Sequence, residues 1–328
     1  MEHYIGVDLH QSFFQACAVD ALGLRPWEDR FPTTAEGIEQ FLARCVDVRT
    51  VAVEASGPTW HFVDQVVPCV PAVCIVDPAR TRLKAGYVAK TDRLDARRLA
   101  DALRRDSVVS IYYPPVAVRE LRELCRYRGS LVRIRVRLKQ RIHALLARQG
   151  VEMPAVSDLF GQAGRRWLAA VALSARAAQA MEGLRALLEA VDGQVAVAER
   201  EVEAIAGRDP VVQRLLPIPG IGPTLGLTIR AEVGEIARFP TAAHLASYAG
   251  VVPRVSQSGG SCRHGRVGKR GAPWLRWALI QAAVHGPGRQ DRHGRWARRL
   301  ALKKGAVKAR TAIARALCEE IYTAWRMA

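Results

Sequence analysis

The chain has 328 residues, 49% of them hydrophobic, and carries a formal net charge of +18. That length accommodates two domains or more with a sizeable core, and a pI near 10.3 points to a nucleic-acid partner and away from the near-neutral balance of most enzymes. Seven scattered cysteines without a C-x-x-C spacing argue against a disulfide framework and a zinc site, no apolar run approaches the roughly 18–20 residues of a membrane span, and Asp8 and His10 interrupt any secretory leader.

Residues 1–107 read as α/β. Tyr4–Val7 and Phe13–Val19 have the character of two strands joined by the polar turn Leu9-His10-Gln11-Ser12, and a third short strand lies near Arg30–Pro32. Thr34 is an N-cap for a helix over Ile38–Cys45. Then follow strand Val51–Glu54, a Ser-Gly-Pro turn, helix Trp60–Val67, strand Ala72–Val76, and helices from about Pro78 to Arg105. The order predicts a mixed sheet with helices on its faces.

Residues 108–205 form a helical region. Apolar residues at threes and fours, from Leu121 to Leu145, predict a long amphipathic helix of coiled-coil character. Its polar face is basic and includes Arg133 and Arg137, so it is expected on phosphates. A second helix, Leu184 to Ile205, has an acidic polar side, and the two could pair within a chain or between chains. Residues 206–328 begin with Pro217-Ile218-Pro219-Gly220-Ile221-Gly222, a turn of helix-hairpin-helix type that brings backbone close to a phosphate. Between Arg254 and Arg310 there are fifteen Lys and Arg against one acid, Asp291. Arg254, Arg263, Lys269, Arg270, Lys303 and Lys304 are candidate nucleic-acid contacts there. Trp274 and Trp277, at helical spacing among Leu275, Ala278 and Leu279, fit a core better than a base-stacking platform.

Four acids stand at element boundaries. Asp8 closes the first strand, Glu54 closes a later one, and Asp92 and Asp95 open a helix, three apart on one face. Four carboxylates at one spot need a cation, and oxygen ligands select Mg2+ or Mn2+. Such ions serve in-line phosphoryl transfer. A strand reading Asp8-Leu9-His10 lacks the Asp-x-Glu pair of proofreading exonucleases. The order Asp, Glu, Asp-x-x-Asp is instead similar to RuvC-type Holliday-junction resolvases and their ribonuclease H-like fold.

Five segments in order widen the likeness to nearly the whole chain: Tyr4–Asp8, Glu54–Gly57, Lys90–Arg97, Ile218–Gly222, and Tyr248–Arg254 followed by Ser258-Gly259. In these the chain resembles the DEDD transposases of the insertion-sequence-110 family, bridge-RNA-guided recombinases. The resemblance implies three parts: a RuvC-like DEDD domain at 1–107, a helical coiled-coil region at 108–205, and a mainly α transposase domain at 206–328. It implies Asp8, Glu54, Asp92 and Asp95 as metal-binding acids and Ser258 as a nucleophile that links covalently to DNA. It further implies donor and target DNA, a noncoding bridge RNA, a homo-oligomer of two to four copies, and a bacterial, cytoplasmic protein. Two alternatives stay open: a junction endonuclease using metal-activated water, and a binding protein whose acids are structural.

Overall fold

A computed structural model describes residues 2–77, 81, 91–258, 261–267, 271–288, 290 and 292–327; for 254–258, 261–267, 287, 292 and 293 it describes backbone alone. It divides into two units, Met1–Tyr113 and Pro114–Ala328. Among the described residues no helix is long and apolar enough to cross a membrane.

The N-terminal unit contains, in order, β1 (His3–Leu9), β2 (Phe13–Asp20), β3 (Trp27–Pro32), α1 (Ala35–Arg44), β4 (Val48–Glu54), α2 (Thr59–Val66), β5 (Val73–Val76) and α3 (Asp92–Arg104). The five strands make one sheet in the order β3-β2-β1-β4-β5. The first three are antiparallel neighbours, and β4 and β5 add parallel, with Val7 opposite Val53 and Val53 opposite Ile75. Strand alternation sorts the two faces. Ile5, Val7 and Leu9 pack with Phe14, Phe31, Phe41 and Phe62 against α1 and α2. Cys17 and Val19 meet Ala96 and Ala100 of α3, while Ala52 and Val76 meet Leu99. Thr34 caps α1 through its side chain, as its sequence position predicts. The helix expected to start near Pro78 falls largely on residues outside those described; α3 itself begins at Asp92.

The second unit is mainly helical: α4 (Val116–Arg148), α5 (Gln162–Ala170), α6 (Ala175–Ala206), α7 (Pro210–Leu215), α8 (Pro223–Val233), α9 (Ala242–Ala249), the hairpin β6 (Pro253–Ser258) and β7 (Ser261–Val267), then α10 (Pro273–Val284), α11 (Arg292–Lys304) and α12 (Ala306–Arg326). The two long helices α4 and α6 pair within the chain and antiparallel. Leu131 packs with Val195 and Ala198, and Leu138, Ile142 and Leu145 pack with Leu188 and Met181 further along. Helices α7 to α10 and α12 enclose a second core around Ile229, Leu279 and Leu317. Between α7 and α8, Gly220 has φ +93°, and a Cβ there would sit 2.5 Å from the carbonyl of Ala282. That glycine is therefore required by packing against α10. Gly222, the N-cap of α8, has open space where a side chain would be.

The six described cysteines are free thiols. Burial pushes Cys17 and Cys125 up to about 11 and Cys45 and Cys318 up to about 12. Those four are held as thiols at neutral pH and make poor nucleophiles.

Candidate metal centre

The acidic centre is built by one close approach. Gly6, on β1, faces α3; a Cβ there would lie 2.2 Å from the Ala96 carbonyl and 2.4 Å from the Ala100 amide. Without a side chain, the strand takes the helix backbone directly onto it. From that contact, two residues along the strand lead to Asp8 and one helical turn back from Ala96 leads to Asp92. The two steps are about equal, roughly 6–7 Å each, so the side chains meet beyond the seam. Alternation puts Glu54 on the same side, two residues past Ala52 and one beyond the Val7–Val53 pair.

Thr91 starts α3 by accepting from the Leu94 amide at 3.3 Å. Asp92 and Asp95 lie in the first turn, where the helix dipole favours negative charge. Asp95 accepts from Arg98 at 3.2 Å.

Among the described residues, the donors close enough to share one ion are those of Asp8, His10 and Asp92, all within 4.8 Å of one another. Asp95 contributes to the field at Asp8 but is not in that cluster, and neither is Glu54. Both are half-buried. The sequence places His10 in the turn after β1, one residue beyond the strand end; its i, i+2 spacing from Asp8 is the signal for it.

The Asp8 carboxyl is held above its ordinary pKa. Burial is the largest cause; the charges of Asp92 and Asp95 add to it, and His10 opposes it. Asp8, His10 and Asp92 offer two carboxylates and an imidazole within reach of one point. A hard divalent cation fits such a donor set.

A stability prediction follows. A carboxyl with a raised folded-state pKa stabilises the fold below the ordinary carboxylate pKa, and that contribution is lost as pH rises through the folded value. Asp8→Asn should therefore melt a few degrees higher than wild type at neutral pH without divalent ions. The gain should shrink towards pH 4 or roughly below, where wild-type Asp8 is also neutral. Thermal melts across pH check this; an Asn chain less stable at pH 7 would contradict it.

The other predicted contacts divide by position. Arg133 and Arg137 are exposed on α4, and Arg133 lies 4.6 Å from the Trp274 ring. Lys303 and Lys304 are exposed at the end of α11. Lys269 and Arg270 lie outside the described residues, as do the side chains of Arg254, Ser258 and Arg263. The Ser258 backbone ends β6 opposite Ser261. Much of the basic face of α4 is engaged within the unit. Arg126 forks onto Glu232 at 2.8 and 3.0 Å, Arg122 donates to the Ala231 and Glu232 carbonyls, Arg128 pairs with Glu199, and Arg135 lies 3.7 Å from Asp192. Trp277 packs on the core, as its spacing predicts, whereas Trp274 meets it edge to face and lies against Gly129 and Arg133 of α4.

The sequence profile described as Transposase IS116/IS110/IS902 family matches residues 212–301, and a transposase profile of the DEDD, IS110 type matches residues 5–149. The chain is 28% identical over 320 residues to the transposase for insertion sequence element IS1111A of Coxiella burnetii, covering 94% of this chain and 86% of that protein. It is 27% identical over 242 residues to a probable family 20 transposase of Pseudomonas aeruginosa, covering 71% and 70%. Over 71 residues it is 42% identical to the pilin gene-inverting protein of Moraxella bovis, covering 21% and 22%. The two profiles follow one another along the chain and the likeness runs nearly end to end, so the chain belongs to the IS110/IS116/IS902 family of insertion-sequence transposases, enzymes that cleave and rejoin DNA.

Proposed function

We propose that this transposase exchanges DNA strands through a covalent serine–DNA intermediate, with the acidic centre holding Mg2+ or Mn2+. The convergence of Asp8 and Asp92 on one face of the sheet carries the reading. The strand order supports a ribonuclease H-like domain, in which such a centre sits at the strand ends. Asp8, Glu54, Asp92 and Asp95 are the residues that would hold the ion. When bound, it would neutralise charge on the attacking and leaving oxygens of a phosphoryl transfer.

Ser258 is the proposed nucleophile. Its Oγ bonds to a DNA phosphorus, the bond from that phosphorus to the 3′ oxygen breaks, the serine proton is released, and the 3′ oxygen leaves as a hydroxyl. The phosphoserine ester keeps the phosphodiester's bond energy, so rejoining by the reverse attack needs no nucleotide. Serine and acids belong to different domains of the proposed three, 1–107 and 206–328, joined by a coiled-coil region at 108–205. We propose a composite site assembled in a dimer or tetramer. A noncoding bridge RNA would select donor and target DNA by pairing, while the protein holds backbones. Arg133, Arg137, Arg254, Arg263, Lys269, Arg270, Lys303 and Lys304 are the proposed phosphate contacts, and Gly222 at the α8 N-terminus belongs to the proposed helix-hairpin-helix. The proposed setting is the bacterial cytoplasm.

A second reading is a Holliday-junction-type endonuclease using activated water, which would need the Asp8, His10 and Asp92 cluster and not Ser258. Protein, Mg2+, labelled DNA and RNA transcribed from the element's flanks, run on a denaturing gel, separate the two. Serine exchange predicts a protein–DNA band absent from both Ser258→Ala and Asp8→Ala. Cut DNA that persists in Ser258→Ala, with no adduct in wild type, would leave the water-using nuclease.

A further inference from the structure

We propose that His10 is a direct ligand of the divalent ion, making the centre a mixed nitrogen and oxygen site together with Asp8 and Asp92. This rests on the metal-dependent reading above and specifies it. The His10 Nε2 atom lies 3.4 Å from Asp8 Oδ2 and 3.5 Å from Asp92 Oδ1. It is shielded from solvent and has no hydrogen-bond partner among the described residues. Both separations exceed the roughly 3.2 Å limit of a good N–H···O bond. They match donors around a shared ion: ligands each about 2.1–2.2 Å from a cation, at right-angled to tetrahedral spacing, are about 3.0–3.6 Å apart.

The residue is held through its backbone and by one ring contact, and its side chain is 42% exposed. The His10 amide donates to the Phe13 carbonyl at 2.9 Å, and the His10 carbonyl accepts from Thr33 Oγ1 at 3.0 Å. The imidazole packs on the Phe13 ring, with centroids 4.7 Å apart and planes tilted by 31°. Leu9, between the two ligands, is 4% exposed and anchors the opposite face of the strand in the core. A donor fixed by neighbours in this way is pre-organised. The alternative is an imidazolium bridging two carboxylates. It would be expected to draw them into charge-assisted bonds of about 2.7–2.9 Å, shorter than those found.

An imidazole ligand biases a site towards first-row transition ions relative to an all-oxygen one. The centre should thus prefer Mn2+ over Mg2+ more strongly than four carboxylates would, and the preference should depend on His10.

Mn2+ itself is the probe, on the full chain without nucleic acid. Pulsed electron paramagnetic resonance of bound Mn2+ should show nitrogen modulation in wild type. Chain labelled with 15N-histidine should convert that modulation to the 15N pattern, which needs no variant to fold. His10→Ala should still bind Mn2+ but lose the modulation, with affinity reduced about tenfold or more and Mg2+ affinity less affected. Bound Mn2+ that is lost in Asp8→Asn yet shows no nitrogen coupling would overturn the His10 assignment and leave the carboxylate centre intact. Coupling that survives in His10→Ala would assign the nitrogen elsewhere and overturn it equally. An absence of any Asp8-dependent Mn2+ binding would overturn both.

Discussion

Replacing Gly6 by Val is expected to lower the melting midpoint by roughly 12 °C or more, the largest stability change of any substitution considered. The added Cβ would be driven to 2.2 Å from one backbone atom of α3 and 2.4 Å from another. Backbone atoms in a helix cannot swing aside as a side-chain tip does, so β1 or α3 must shift as a body. Overpacking of this kind costs about 3 kcal/mol or more, and a kilocalorie moves the midpoint of a domain near one hundred residues by about 4–8 °C. Gly57, with nothing within 4 Å of its added Cβ, provides the matched control as Gly57→Ala. Gly6→Ala should fall between wild type and Gly6→Val. The displaced helix also carries Asp92 away from Asp8, so Mn2+ affinity should drop in parallel. If Gly6→Val melted with wild type, the direct seating of α3 on β1 would be wrong.

The second large effect is Arg126→Ala. Glu232 is 2% exposed, and its carboxylate is gripped by the Arg126 fork. Truncating the arginine strands a buried negative charge, an error worth about 3–5 kcal/mol. The lower end applies, because the Arg126 side chain is 42% exposed and screened by water. The reverse change, Glu232→Gln, should cost less. The freed guanidinium can turn to solvent, and the amide is neutral where it is buried. Arg122 from the same helix satisfies the Ala231 and Glu232 carbonyls near the C-terminus of α8. Denaturant unfolding of the two single variants measures the asymmetry; equal losses would mean that burial of Glu232 is not what sets it.

Where the chain's pattern was regular, its structure was legible. The apolar runs before Asp8 and Glu54 carried the strands, Thr34 marked the start of a helix, and the acids at strand ends and at the opening of α3 led to the centre. Other elements had no local signature. Helix α5 buries only Gly164 and Leu168, too little for a stripe. Helix α6 starts at Ala175, well before Leu184, because its alanine-rich first turns extend it without apolar periodicity. The Ser-rich run after Pro253 reads as a loop, yet its backbone pairs as β6 with β7; that pairing is set by a partner strand. The basic face of α4 is a case of missing context. Its period was readable, but the acids that take Arg128 and Arg135 lie on α6, far along the chain. His10 was passed over for a related reason: a histidine in a turn becomes informative only once α3 brings Asp92 beside it.

The seam between β1 and α3 also sets when along the chain the acidic cluster can form. Asp8 and His10 precede Asp92 by more than eighty residues, and the cluster closes only when α3 docks on the strand. A chain carrying all five strands but not α3 still lacks Asp92 and Asp95. The basic segment from Arg254 onward and the proposed nucleophile are synthesised later still. A chain cut before α3 would therefore lack the cluster, and one cut between α3 and Arg254 would keep the cluster but lose the basic segment and the proposed nucleophile.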